Sequence, residues 1–115
     1  MAYWGNKAEE CDYAFDSLGS YIAHIRDSMF AAAAGTIDER YTEQTIVMTL
    51  KVIRTLWSSF PRSVSCTFHR GDFDKSKALF SEWFTVVGPK LSASRKRAIT
   101  AEAEQVFKAC EEMYR

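Results

Sequence analysis

Residues 46–60 read IVMTLKVIRTLWSSF, and apolar side chains recur in this stretch every three or four positions. The first apolar seam consists of Ile46, Leu50, Ile53, Trp57 and Phe60. A second apolar face consists of Val47, Met48, Val52 and Leu56. Because this spacing is that of an α-helix, the stretch predicts a helix that is apolar on two faces and is the most buried element of the chain. Pro61 predicts its end, since proline disfavours helical geometry in the residue before it.

The same periodicity continues on both sides of this stretch. The seam of the first segment consists of Cys11, Phe15, Leu18, Ile22, Ile25, Met29 and Ala32. Asn6 followed by Glu9 is typical of a capping box at the start of a helix, and Gly88-Pro89 is typical of a helix end. The predicted helices cover about residues 6–34, 37–59, 73–87 and 92–114.

The pattern changes in residues 61–72, where Val64, Cys66 and Phe68 alternate with polar side chains. Alternation of this kind is typical of a strand, so we predict an irregular or short extended segment here. The whole pattern favours an all-α fold, an antiparallel four-helix assembly. At 115 residues, we expect residues 1–115 to form a single helical domain.

Composition excludes several classes of protein. Apolar residues make up 47% of the chain, which argues against disorder. The three cysteines, Cys11, Cys66 and Cys110, are far apart and odd in number, which favours free thiols in a reducing compartment. No run of apolar residues is long enough to cross a membrane, and no secretory signal is recognisable. We therefore expect a cytoplasmic protein without membrane contact.

The formal net charge is zero, but the charge is unevenly distributed along the chain. Residues 1–60 carry 5 basic and 8 acidic side chains, a net charge of −3, whereas residues 61–115 carry 10 and 7, a net charge of +3. Proteins that bind nucleic acid without sequence preference are usually clearly basic. Nucleic acid is therefore not an expected partner.

Residues for catalysis or metal binding do not occur at the required spacings. The chain has no Cys-x-x-Cys pair, no nucleophile elbow and no glycine-rich phosphate loop. We expect a protein that is not an enzyme and that holds neither a metal nor a cofactor.

One alternative is catalytic. Arg62 and His69 are separated by six residues, a spacing that resembles the signature of the HEPN domains, which are small helical nucleases. That resemblance implies an RNA-cleaving site in which the arginine binds phosphate and the histidine transfers protons.

A basic cluster, Arg95, Lys96 and Arg97, opens the last predicted helix. Cations are unfavourable at a helix N-terminus because the helix dipole is positive there. Either an anionic ligand or an ion-pair network with acids at the start of the second helix would compensate. The cluster is therefore a candidate anion-binding site.

An acidic stripe opens the first predicted helix. Glu9, Asp12 and Asp16 are spaced to share one helix face, and Tyr13 lies beside them. Acidic side chains near the start of a helix interact favourably with the positive end of the helix dipole. Asp16 lies too far along the helix for that effect. Carboxylates next to an aromatic side chain suit a basic protein surface. We therefore predict that Glu9, Asp12, Tyr13 and Asp16 bind a protein partner.

The opening of the chain resembles small bacterial proteins, of unassigned or immunity-protein function, that begin with Trp-Gly-x-Lys-Ala-x-Glu-x-Asp and a further Asp four residues on. The matching positions are Trp4, Gly5, Lys7, Ala8, Glu10, Asp12 and Asp16. The resemblance implies a non-catalytic cytosolic immunity protein that neutralises a toxin domain by direct contact. An alternative is an inhibitor of a host complex, encoded by a phage or mobile element, which would bind its partner through the same acidic residues. Apolar seams of this length also allow a homodimer.

Overall fold

The computed structural model describes residues 12–35 and 42–115, and the regular structure in these ranges is entirely helical. Five α-helices follow one another: α1 (Asp12–Gly35), α2 (Met48–Ser59), α3 (Pro61–Thr67), α4 (Arg70–Val87) and α5 (Ala93–Glu111). A π-helical turn, Thr42–Val47, leads into α2, and short 3₁₀ turns, Gly88–Lys90 and Glu112–Tyr114, follow α4 and α5. The all-α prediction is confirmed. The helix starts predicted at residues 6 and 37 lie outside the described residues.

Contacts between side chains give the direction of each helix. Phe15 and Phe30 of α1 lie against Arg62 and Lys75, so α1 runs parallel to the stretch formed by α3 and α4. Arg70 at the start of α4 pairs with Glu111 at the end of α5, at 3.1 Å, so these helices are antiparallel. Lys51 and then Arg54 of α2 contact Glu102 and then Ala109 of α5, so α2 runs parallel to α5. The arms α1, α2, α3 with α4, and α5 therefore alternate in direction, as the sequence predicts for an antiparallel four-helix assembly.

All five helices contribute to one core. Its fully buried apolar members include Ile22 and Met29 from α1, Leu50 and Ile53 from α2, Val64 from α3, Phe73 from α4 and Cys110 from α5. Ile22, Met29, Leu50 and Ile53 lie on the apolar seams of the sequence, so helical periodicity identified this part of the core. Val64 lies in the segment whose pattern alternates.

The prediction of an irregular or extended segment at residues 61–72 is wrong. Pro61 opens α3 at the first helical position, where its missing N–H costs nothing. The backbone N–H of Phe68 donates to the Val64 carbonyl at 2.7 Å. The alternating pattern was misleading because Ser63, which is polar, is fully buried beside Val64.

The break between α3 and α4 is short, and α4 begins three residues earlier than predicted. Asp72 accepts a hydrogen bond from the backbone N–H of His69 at 2.9 Å, and His69 is the residue that precedes α4. This carboxylate satisfies a donor that the helix leaves open. Arg70, Gly71 and Asp72 are therefore the first turn of a helix, and no separate turn forms there.

The prediction that α2 is buried on two faces holds for only one of them. Ile46, Leu50 and Ile53 are fully buried, whereas Met48 and Val52 are 47% and 39% exposed. Both exposed residues share one helix face, four positions apart. The bundle therefore covers the first apolar face and Val47 of the second, and it leaves Met48 and Val52 open.

Candidate functional site

The exposed surface of α1 is the candidate site for a protein partner. We define the α1 outer face by the exposed residues between Tyr13 and His24: Tyr13, Asp16, Ser17, Ser20, Tyr21 and His24. This face exists because the apolar seam of α1, with Ile22 and Met29, is fully buried on the opposite side. The helix thus presents polar and aromatic side chains to solvent along more than two turns.

Two tyrosines dominate the α1 outer face. Tyr13 is 70% exposed and Tyr21 is 51% exposed. They are eight residues apart, about 12 Å along the helix, and Asp16 lies between them. Exposed aromatic rings offer large contact area to a partner at a small cost in side-chain entropy.

The structure places only part of the predicted acidic stripe. Tyr13 and Asp16 lie together on the α1 outer face. Glu9 and the side chain of Asp12 lie outside the described residues. Tyr21 was missed in the sequence, although its distance of eight residues from Tyr13 places it on the same face.

Arg62 is held against the side of α1. Its guanidinium carbon lies 4.7 Å from the centre of the Phe15 ring, a cation–π contact that fixes α3 to the start of α1. Gly19, one turn further along α1, faces Thr67 at the end of α3, where a Cβ would lie 3.4 Å from the Thr67 hydroxyl oxygen.

His69 lies at a different level of the bundle. Its Nδ1 is 3.9 Å from the Asp72 carboxylate, which itself lies 3.9 Å from Arg26 of α1. Phe15 and Arg26 are eleven residues apart, about 16 Å along α1. Arg62 and His69 thus have different neighbours, Phe15 and Asp72, whereas the resemblance to HEPN domains implies that both act on one phosphate.

Arg26 occupies the corner between α1, α3 and α4. Its Nη1 donates to the Thr67 carbonyl at 2.7 Å, which satisfies an acceptor at the C-terminus of α3. Its Nε donates to Asp27 at 2.9 Å. This hydrogen bond raises the pKa of Arg26, together with the charges of Asp27 and Asp72. The same hydrogen bond, together with the positive charge of Arg26, lowers the pKa of Asp27. These contacts satisfy the guanidinium within the fold, which indicates a structural role.

The basic cluster lies at an exposed end of α5. Arg95, Lys96 and Arg97 are all exposed, and Ser92 caps the helix by accepting a hydrogen bond from the Arg95 backbone N–H at 3.2 Å. Lys96 Nζ lies 5.8 Å from the centre of the Phe84 ring on α4. The sequence showed no aromatic residues among these cations, and the tertiary structure supplies one from another helix. Of the acids expected opposite the cluster, Asp38, Glu39 and the side chain of Glu43 lie outside the described part of the chain.

A shallow groove runs between α4 and α5 next to the cluster. Its floor consists of Phe80, Phe84, Ala103 and Phe107, and Ser81, Thr85, Thr100 and Glu104 form its walls. We call this feature the α4–α5 groove; its volume is about 360 Å³. Phe80 stacks on Phe84 and meets Phe107 edge to face, with centroid distances of 5.9 and 5.5 Å.

Reactive and metal-binding groups are not assembled in the described residues. No group of three or more His, Cys, Asp and Glu side chains there is placed to hold a metal ion. Cys110 is buried and its pKa is raised to about 11 by desolvation, so its thiol stays protonated at neutral pH. No described helix combines the length and the apolar character that crossing a bilayer requires.

Comparisons of the chain with protein-family models, curated proteins and solved structures give no match.

Proposed function

We propose that the chain is a non-catalytic binding protein of the immunity type, which neutralises a toxin domain by direct contact through the α1 outer face. The observation that carries the proposal is the pair of exposed tyrosines, Tyr13 and Tyr21, on the outer face of α1, with the exposed Asp16 next to Tyr13. Tyrosine is enriched at the centres of protein interfaces. The resemblance of residues 4–16 to small immunity-type proteins points to the same end of the chain.

The chemistry of this face also indicates the kind of partner. Asp16 attracts a basic surface, and complementary charge speeds encounter and selects the partner. Toxins that act on nucleic acid present basic surfaces, because they bind phosphates. The proposed partner is therefore a basic toxin domain, and the proposed compartment is the cytoplasm, where such a toxin acts. An inhibitor of a host complex would use the same face, and the identity of the captured partner separates the two functions.

The test begins with the protein encoded directly upstream of this chain. Its product is expressed in bacteria with and without the chain, and growth is measured. We expect the upstream product to stop growth and co-expression of the chain to restore it. Purified proteins are then mixed, and affinity is measured by titration calorimetry. An upstream product that neither harms cells nor binds the chain contradicts the immunity function.

Variants of the α1 outer face locate the interface. We expect Tyr13→Ala, Tyr21→Ala and Asp16→Lys each to weaken binding at least about tenfold, as substitutions at an interface centre do. Glu82→Lys is the matched control, since Glu82 is exposed on α4 and the substitution makes the same change of charge. If the three α1 variants bind and protect as well as the control, the partner uses another surface.

A further inference from the structure

The α4–α5 groove has an accessible apolar floor. Phe84 and Phe107 are only half-buried, and the walls at Ser81, Thr85 and Glu104 are exposed. A site for a small molecule encloses most of the ligand, and this groove does not. Two antiparallel helices with an open cleft between them instead suit a third helix, which lays one face along the cleft.

One end of the groove is basic. A second hollow, lined by Lys96, Arg97, Thr100 and Glu104, shares its last two residues with the groove and extends it to the start of α5. Arg95, Lys96 and Arg97 are all exposed there. Two cations, Lys96 and Arg97, and one carboxylate, Glu104, line this hollow, so the groove with its extension favours a helix that carries acidic side chains.

This surface is long enough to seat a helix face of the same molecule. The lining residues of α5 run from Ala93 to Phe107, about 21 Å of helix. The α1 outer face offers two exposed tyrosines about 12 Å apart, with Asp16 between them. Tyrosine rings suit the aromatic floor, and Asp16 suits the basic end.

We propose that copies of this chain associate head to tail, with the α1 outer face of one copy seated in the α4–α5 groove of the next. Charge complementarity favours this arrangement, since Asp16 lies on the α1 outer face and Lys96 and Arg97 line the basic end of the groove. Because the two contacting surfaces differ, the contact is heterologous and each copy keeps one free surface of each kind. Short open chains of copies result.

This association goes beyond the proposed function and does not require a toxin. If the proposed function also holds, a toxin and a second copy compete for the α1 outer face. At high concentration of the chain, self-association would then cover the α1 outer face and make it unavailable to the toxin.

The experiment is sedimentation velocity on the full chain, from about 10 µM to about 1 mM, since a contact of this limited size is weak. We expect the average mass to rise with concentration, and the rise to shrink when salt is increased from about 0.05 M to about 0.5 M. A chain that stays monomeric over this range overturns the proposal.

Two variants with reversed charge test the geometry. Asp16→Lys alters only the face, and the double variant Lys96→Glu/Arg97→Glu alters only the groove. Each by itself is expected to lower the association constant at least tenfold. When the two variants are mixed, the unaltered face of one meets the unaltered groove of the other, so association returns. Failure of the mixture to associate, or undiminished association of either variant, contradicts the head-to-tail contact.

Two controls separate this contact from other causes. Met48→Lys places a charge on the exposed apolar face of α2, and we expect it to associate like the unaltered chain; loss of association would move the contact to α2. Circular dichroism of each variant must give the helical signal of the unaltered chain. Should Asp16→Lys misfold, Tyr21→Ser replaces it as the variant of the α1 outer face.

Discussion

Arg26 shows how much one side chain contributes to the arrangement of the helices. It lies beside the apolar seam of α1, yet its guanidinium reaches the Thr67 carbonyl at 2.7 Å and approaches Asp72 at 3.9 Å. It thereby joins the end of α3 and the start of α4 to α1. Its place beside the seam could be read from the sequence, but its partners lie 41 and 46 residues away. No local pattern indicates such contacts.

Replacing Arg26 by methionine keeps the apolar stem and removes the donors. We expect Arg26→Met to lower the free energy of unfolding by about 1 to 2 kcal/mol, because the Thr67 carbonyl loses a charged hydrogen-bond donor. Urea denaturation followed by circular dichroism measures the change. Asp27→Asn is the control, since the Asp27 contact is exposed and its loss should leave the urea midpoint unchanged. An Arg26→Met variant as stable as the unaltered chain would show that the corner does not depend on this residue.

Cys110 and Tyr114 connect stability to alkaline pH. Burial raises the pKa of Cys110 from 9.0 to about 11, and burial likewise raises the pKa of Tyr114, whose hydroxyl donates to the Phe68 carbonyl at 3.0 Å. The folded chain therefore keeps protons that the unfolded chain releases above about pH 9. Stability is complete below that pH and falls as the pH rises toward 11.

We expect the Cys110 thiol to account for a loss of about 2 to 3 kcal/mol across this range, since one pKa unit corresponds to about 1.4 kcal/mol. Urea denaturation at about pH 8 and about pH 10.5 measures the loss. In Cys110→Ala and in Tyr114→Phe the loss should be smaller. Cys66→Ala removes an exposed thiol, and its free energy of unfolding should fall over this pH range as much as that of the unaltered chain. An equal loss in all of these variants would assign the alkaline sensitivity to other groups.

At the scale of the elements, α3 and α4, which together form the third arm of the bundle, show why one element was predicted wrongly. The two helices run in the same direction and are separated only by Phe68 and His69. Proline at the first position of α3 and Asp72 in the first turn of α4 are both helix-start signals. Because Ser63 is polar although it is buried, the apolar residues of this segment do not show helical spacing. Their alternation instead predicted a strand where the structure has a helix.

The contact between α1 and α3 sets a size limit at Gly19. A Cβ there would lie 3.4 Å from the Thr67 hydroxyl oxygen, which is ordinary contact, and alanine favours a helix interior over glycine by about 0.5 to 1 kcal/mol. We therefore expect Gly19→Ala to stabilise the protein slightly. Gly19→Leu should destabilise it by about 1 to 3 kcal/mol, because the added atoms collide with α3.

Thermal unfolding of both variants checks this limit. Gly71 in the first turn of α4 has open space around it, so Gly71→Leu serves as the control for a large side chain on a helix without a neighbour. Equal melting temperatures for Gly19→Leu and Gly71→Leu would mean that α3 does not pack closely on α1.

At the scale of the whole molecule, the described helices share one core. Ile22, Ile53, Val64, Phe73 and Cys110 belong to five different helices and are all buried in the same cluster. The short helix α3 contributes Val64 and cannot bury it without its neighbours, because a helix of seven residues is not stable by itself in water. The protein should therefore unfold as one cooperative unit.

A truncation in the core tests this cooperativity. Ile53→Ala should lower the free energy of unfolding by about 2 to 5 kcal/mol, the usual cost of such a cavity. Circular dichroism and tryptophan fluorescence should still give coincident urea transitions, since Trp57 and Trp83 report from different helices. Separate transitions for the two probes would show that part of the bundle unfolds independently.

The sequence by itself determined the class of fold, the long helices and most of the core. It could do so because helix formation and the burial of one helix face depend on residues three or four positions apart. Of the candidate site, Tyr13 and Asp16 were identified in the same way, since both lie on one turn of α1. Tyr21 could have been identified from the same helical spacing, since it lies eight residues after Tyr13.

Only the tertiary structure decided which surfaces remain open and which distant groups meet. It left Met48 and Val52 of α2 exposed, and it placed Arg62 against Phe15 and His69 beside Asp72. It also brought Lys96 to Phe84 and formed the α4–α5 groove. These outcomes depend on how helices pack against one another, and that packing is set by contacts between residues far apart in the chain.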